Sequence, residues 1–184
     1  MKKLTTLLAI ILFAASLAHA QKYMTKGGTI KFFSATPMEK IEGINRQVNS
    51  ALDFSTGNFV FKGLIRGFEF EKALMQEHFN ENYMESDKFP NSTFSGKIIN
   101  IKEITLDKDG VYKVIVEGDL TMHGVTNKIK TNGTLEVKGG KVLGKATFNV
   151  APKDYNITIP QAVIKNISET IQVDVNIALD KLNA

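Results

Sequence analysis

The 184-residue chain has no cysteine and no tryptophan, and only 4 prolines and 3 histidines. The absence of cysteine excludes disulfides, thiol catalysis and thiolate metal sites. His19 lies in an N-terminal segment that reads as removable. That leaves His78 and His123, too few for the three or four ligands a zinc site needs without cysteine. His78, flanked by Glu77 and Glu81, therefore carries no metal expectation, and no cofactor is expected. No basic run of the nucleic-acid-binding kind occurs, so no nucleic-acid partner is expected. The longest apolar stretch, 7–17, falls short of the about 20 residues of a spanning helix. No nucleophile elbow or metalloprotease helix is present, and Ser, His and Asp show no spacing that favours a triad.

The first twenty residues, MKKLTTLLAIILFAASLAHA, place Lys2 and Lys3 before an apolar run and end in Ala18-His19-Ala20. That is the layout of a secretory signal peptide cleaved after Ala20, and it predicts a periplasmic or secreted location. No cysteine follows it to take a lipid anchor. Residues 21–184 then form the mature chain, a length that suits one domain with a sizeable core. The formal net charge of +4 falls to +2, because Lys2 and Lys3 leave and no acid leaves with them.

From residue 29 onward, period-two alternation dominates. TIKFFSA reads as a short first strand. RQVNSALDFSTGNFVFKGLI reads as two strands around Ser55-Thr56-Gly57-Asn58, with Phe59, Phe61, Gly63 and Ile65 on one face. In DKFPNSTFSGKI the proline holds Phe89 extended, Asn91, Ser92 and Thr93 suit a turn, and Phe94, Gly96 and Ile98 share one face. Val114, Val116, Gly118, Leu120 and Met122 alternate in the next strand, which ends at His123-Gly124. VTNKIKTNGTLEV, KVLGKATFNV and a last strand with Ile171, Val173, Val175, Ile177 and Leu179 inward complete the set.

One segment departs from this period. FEKALMQEHFNENYM, about 70–84, has no Gly or Pro, and Met75, Phe79 and Tyr83 recur every fourth residue with Leu74 beside them. The predicted fold is all-β: an eight-stranded antiparallel barrel with this one inserted amphipathic helix capping an end. Barrels of this strand number either fill with side chains or hold one small ligand. Glycines at inward positions (63, 96, 118, 133 and 144) either bend the wall or leave room for a guest, and the pattern does not separate the two.

These motifs together resemble the YceI-like family, secreted proteins with a lipocalin-like barrel that bind polyisoprenoid lipids. DKFP followed by STFSGKI is similar to the family's Asp/Tyr-or-Phe-Pro, then aromatic-x-x-Lys/Arg strand entry. GDLTMHGVTNKI is similar to its Gly-x-Leu-Thr-x-His-Gly-Val-Thr hairpin, the most specific of the matches. FNVAPKDYNITIP and IQVDVNIAL resemble its C-terminal strands. The likeness covers about residues 29–180, and the N-terminal strand departs from the family in having no tryptophan.

The resemblance implies a lumen holding an isoprenoid tail, touched by Phe59, Phe61, Phe94, Ile98, Val114, Val116, Phe148, Val173 and Val175. Arg66 and His123 are the rim candidates, Arg66 for a phosphate and His123 for a headgroup, against the blander reading of His123 as a histidine that stabilises its turn. Three functions stay open. The first is an exported carrier of an amphiphilic isoprenoid, of quinone or polyprenyl phosphate type. The second is an enzyme acting on such a lipid, which the lack of an inward polar cluster disfavours. The third is a structural or interaction barrel with a filled core. The expectation is a carrier, not an enzyme, whose partner is an isoprenoid lipid; a homodimer is compatible with the chain.

Overall fold

The computed structural model describes residues 21–182; the expected signal peptide lies outside the described residues. Eight strands follow one another around a closed antiparallel barrel in chain order: β1 (Lys22–Ala35), β2 (Lys40–Asp53), β3 (Asn58–Leu64), β4 (Asn91–Ile98), β5 (Gly110–Met122), β6 (Val125–Lys138), β7 (Lys141–Val150) and β8 (Ile171–Lys181). β1 pairs with β8 from Thr29↔Asn176 to Phe33↔Gln172, which closes the cylinder. One helix, α1 (Ala73–His78), continues into a π-helical turn (Phe79–Tyr83) between β3 and β4. Among the described residues no helix is long and apolar enough to cross a membrane.

The expected barrel and inserted helix are both present, with three changes of boundary. Asn91, Ser92 and Thr93, expected in a turn, already pair with β3 as the start of β4. The first strand begins at Lys22, seven residues before the alternation starts. Gly27 and Gly28 hide it in the sequence, and the ladder to β2 shifts register on either side of Gly28. Such a bulge bends and twists the strand. The helix starts at Ala73 rather than near 70, because Glu69 is held in an extended bridge to Ile44 (N···O 2.8 and 3.0 Å). At the other end of the helix, the Met84 amide donates to the Phe79 carbonyl at 2.9 Å. This wider turn brings Met84 into the core, where it is 5% exposed.

An up-and-down meander places alternate connections at alternate ends. Both long connections, 65–90 and 151–170, therefore lie at the same end, with the 36–39 turn and the His123-Gly124 corner. The opposite end is filled. Leu52, Val137, Val142 and Leu179 are each at most 1% exposed there, packed with Tyr23, Phe54, Ile98, Ile101, Val114 and Leu135. Burying each such side chain contributes roughly 1.5–3 kcal/mol. This floor is the main core of the barrel.

Two of the inward glycines are explained by backbone proximity rather than by room for a guest. Gly96 and Gly118 are direct register partners on β4 and β5. A Cβ on Gly118 would lie 2.5 Å from both the Gly96 Cα and the Ser95 carbonyl oxygen, and 2.7 Å from the Phe94 ring. The Phe94 ring covers the pair where side chains would otherwise stand. Gly144 is equally occupied, with an added Cβ 2.8 Å from Ile177. Gly63 differs: its added Cβ meets nothing closer than Ile30 at 3.7 Å, and it borders a cavity. Of the two readings open for the inward glycines, room for a guest thus holds at Gly63 and not at Gly118. Gly118→Leu is expected to lower stability by about 3 kcal/mol or more through overpacking against backbone, read from the denaturant midpoint, whether or not any ligand is present.

Candidate functional site

The upper half of the barrel is hollow. A cavity of about 520 Å³ lies between the packed floor and the two long connections, within the roughly 300–1,000 Å³ of small-molecule sites. Strand residues form its lower wall: Ile30 and Phe32 from β1, Phe59 and Phe61 from β3, Phe94 from β4, Val116 and Leu120 from β5, Ile129 from β6, Phe148 from β7, and Val173 and Val175 from β8. Each faces inward because side chains alternate along a strand. The helix adds Leu74, Met75, Phe79 and Tyr83, and the β7–β8 connection adds Ile157, Ile159, Val163 and Ile167.

Phe79 holds the helix to the wall. Its ring centroid lies 5.4 Å from Phe32, 5.4 Å from Phe68 and 5.0 Å from Phe70. Aromatic pairs at these separations contribute about 0.5–1.5 kcal/mol each beyond their buried area. No residue of Ala73–His78 is fully buried, so this cluster carries most of the attachment.

Besides the strand hydroxyls of Ser34, Ser92, Thr93 and Thr131, the polar groups on the cavity gather at its upper edge: Glu39 from the 36–39 turn, Lys72, His78 and Tyr83 from the helical insertion, and Asn166 from the β7–β8 connection. Lys72, Leu74 and His78 are exposed as well as lining, so the cavity meets solvent beside the helix. The Asn166 side-chain amide donates to the Glu39 carboxylate at 2.9 Å, and the Ser168 amide donates to the Ser34 hydroxyl at 2.9 Å. These two bonds tie the β7–β8 connection to the end of β1. Burial raises the Tyr83 hydroxyl above the ordinary tyrosine value of 10.0, and the negative charge of Glu39 pushes it the same way.

Seven of the nine expected lumen residues line this cavity: Phe59, Phe61, Phe94, Val116, Phe148, Val173 and Val175. The other two, Ile98 and Val114, do not. Both are 3% exposed in the floor, because β4 ends and β5 begins at the filled end. Alternation identifies the inward face of a strand but not the height along it at which packing stops. The wall also includes residues that alternation did not single out. Ile30, Phe32 and Ile129 sit on strands whose period-two pattern does contain them. Ile157, Ile159 and Ile167 lie in an irregular connection whose only signal is its density of isoleucine.

The two rim candidates are placed elsewhere. Arg66 turns away from the cavity into a small polar groove, where its guanidinium pairs with Asp87 and donates to the Ser86 hydroxyl at 3.3 Å. The His123 side chain is 9% exposed and bridges two loops. Its Nε2 lies 2.7 Å from the Glu85 carboxylate, its Nδ1 lies 3.0 Å from the Tyr155 carbonyl oxygen, and the Phe89 ring packs against it edge-on at 4.6 Å. A left-handed backbone (φ 51°) at the β5–β6 corner aims the ring that way. The histidine of the Leu-Thr-x-His-Gly stretch thus clamps the helical insertion and the β7–β8 connection to one corner. His123→Asn tolerates the left-handed backbone but cannot span both partners. It is expected to lower stability by about 1–3 kcal/mol, measured by denaturant melt, without abolishing ligand uptake.

Burial also raises Tyr23 and Tyr155, as the first cause in each case. With Tyr83 they remain neutral in the folded protein at a pH where an unfolded chain has begun to lose phenolic protons. The folded state then binds more protons than the unfolded one, so stability falls as pH rises. This contribution is complete below pH 10.0, the ordinary tyrosine value, and is lost above it as pH passes through the raised folded-state values. Melting temperature measured upward from pH 9 should drop past that point together with phenolate absorbance, and Tyr155→Phe should flatten the drop.

No curated protein matches the sequence. Solved structures share the fold at low identity. A polyisoprenoid binding domain from Saccharophagus degradans, implicated in plant cell wall breakdown, matches with a TM-score of 0.77 at 12% identity, over 89% of this chain and 100% of that one. BcnA from Burkholderia cenocepacia matches at 0.64 and 12%, over 84% and 96%. The Campylobacter jejuni YCEI protein matches at 0.54 and 12%, over 92% and 89%. The model of the YceI-like domain matches residues 19–179, nearly the whole chain, and the chain belongs to the YceI-like family.

Proposed function

We propose that the protein is an exported carrier of an amphiphilic isoprenoid lipid, of quinone or polyprenyl phosphate type, and not an enzyme. The observation that carries this reading is the division of the cavity: apolar side chains from the strands and both long connections, interrupted only by the hydroxyls of Ser34, Ser92, Thr93 and Thr131, with every charged or amide side chain at the upper edge. An isoprenoid tail gains about 0.8 kcal/mol for each CH₂-sized unit it buries, with no polar partner required along its length. Its head would stand among Lys72, His78, Tyr83 and Asn166, where the cavity meets solvent. The polyisoprenoid binding domain of like fold supports this ligand class, as does membership of the family. The bonding of the wall favours a carrier over an enzyme. Its one side-chain-to-side-chain hydrogen bond among the described residues joins Asn166 to Glu39, and the hydroxyls of Ser92 and Thr131 are spent on backbone carbonyls. None of these pairs an activated nucleophile with a base. Export rests on the N-terminal pattern alone: protein recovered from the periplasm should begin at Gln21.

Native mass spectrometry of gently purified protein, followed by organic extraction, should find an apolar chain-bearing molecule at one per protein. Gly63→Leu supplies the matching test. Its Cβ has ordinary contact distances and its side chain enters the cavity, so the melting temperature should hold while uptake of a quinone or polyprenyl probe falls. A parent that carries no lipid and takes up neither probe would return the barrel to a structural role.

A further inference from the structure

We propose that Phe94 and Ile177 set the depth of the cavity and restrict its ligand to a short isoprenoid tail, of about four units. The proposal rests on the lipid-carrier reading and narrows it. On β7 the inward residues of the cavity wall run from Ala146 to Val150, and on β8 from Ile171 to Val175. The four steps from Ile171 to Val175 rise about 13 Å along the strand. β8 continues to Lys181, but its next inward residues, Ile177 and Leu179, belong to the filled floor.

The hollow stops at this height because two side chains reach inward from facing walls, each bedded on glycines. β4 and β8 stand opposite one another in the ring of eight strands. On β4, the Phe94 ring occupies the space that side chains on Gly96 and Gly118 would take. On β8, Ile177 does the same between its two neighbouring strands. It is the register partner of Gly144 on β7, where an added Cβ would lie 2.8 Å from its Cγ1. A Cβ on Gly28 of β1 would lie 3.0 Å from its Cγ2. Ile177 is 7% exposed and lies just below Val175, the last residue of β8 on the cavity. The glycines around these two residues therefore make room for a stop and not for a guest.

The same glycines make the depth adjustable. If Ile177 is trimmed, Gly28 and Gly144 have no side chains with which to fill the gap, so the space stays open beneath Val175. The ligand meets the stop end-on. Its head stands at the upper edge, among Lys72, His78, Tyr83 and Asn166, and its tail points to the floor. The helical insertion and the β7–β8 connection extend the wall above the strands. A tail of about four isoprene units, each about 5 Å when extended, spans that height, whereas one of about eight leaves half its length in water.

The test is competition between tails. Mature protein freed of lipid is offered, in detergent, an equimolar mixture of quinones that share one headgroup and carry tails of about two to about eight isoprene units, and native mass spectrometry reads which are bound. The parent should favour the tail of about four units over the longest by about tenfold or more. Phe94→Ala and Ile177→Ala should each move the preferred length up by about one unit. Ala146→Leu, which enlarges the register partner of Val175 and removes no packing, should move it down. Ranking variants against the parent in one mixture cancels the preference of longer tails for micelles, and a loss of stability alone does not change the ranking. Where the alanine variants do not fold, Phe94→Leu and Ile177→Val decide by smaller upward shifts. A parent that binds the longest tail best, or all lengths alike, overturns the depth limit and leaves the carrier standing. A parent that binds no quinone of any length, and carries no lipid when purified gently, overturns both. Upward variants that keep the parent's ranking overturn the assignment to Phe94 and Ile177.

Discussion

The β1–β8 ladder is the constraint on which the rest of the molecule depends. Without it the sheet would end in two unpaired edges, each a row of free amides and carbonyls open to intermolecular pairing. With it every strand has two neighbours, and the interior is defined as one side of a closed surface. Closure also fixes where the connections go. Eight strands in simple up-and-down order have four connections at one end and three at the other, and both long ones fall in the set of four. The elements able to roof a cavity are therefore gathered at a single end by topology alone.

That arrangement lets one barrel serve two opposing demands. Stability requires dense packing, because a hollow forfeits dispersion contacts along its whole lining. A ligand site requires the hollow. The chain separates them by height. Around the floor, Leu52, Val137, Val142 and Leu179 close the interior almost completely. Midway, Phe94 lies over the Gly96–Gly118 pair, with Phe59 at 6.0 Å from it. These rings form the boundary between filled and unfilled halves. The glycines let adjacent backbones approach so closely that an aromatic ring can cover both, which is a packing device and the opposite of leaving space.

Period-two alternation made the barrel legible, because the side-chain period of a strand is fixed by its geometry and one face here is consistently apolar. It made seven of nine wall positions legible for the same reason. What it could not convey is depth: Val114 and Leu120 read alike on one strand, yet Val114 lies in the floor and Leu120 on the cavity, since that depends on where neighbouring strands end. The start of β1 was hidden because a bulge at Gly27-Gly28 breaks the alternation. The roles of Arg66 and His123 were hidden because their partners, Asp87, Glu85 and Tyr155, are brought near by loops that follow no period. The YceI-like resemblance, carried by local motifs, supplied the family and the ligand class but could not supply these contacts.

The roof has a different physical character from the floor. Helix Ala73–His78 buries none of its residues fully, and it is held from one side by the Phe32, Phe68, Phe70 and Phe79 cluster. Its π-turn trades regular helical hydrogen bonding for a geometry that seats Met84 in the core while leaving Phe79 and Tyr83 on the cavity. Opening at this place disrupts few buried contacts, whereas opening anywhere in the floor disrupts many, so free energies of local opening differ across the same barrel. An apolar guest adds contacts to Met75, Phe79 and Tyr83 that an unfilled cavity does not provide. It therefore stabilises the roof more than the floor, by the mass-action stabilisation that any ligand gives the state it binds. The element that must move to admit a ligand is thus also the element that the ligand holds in place once inside.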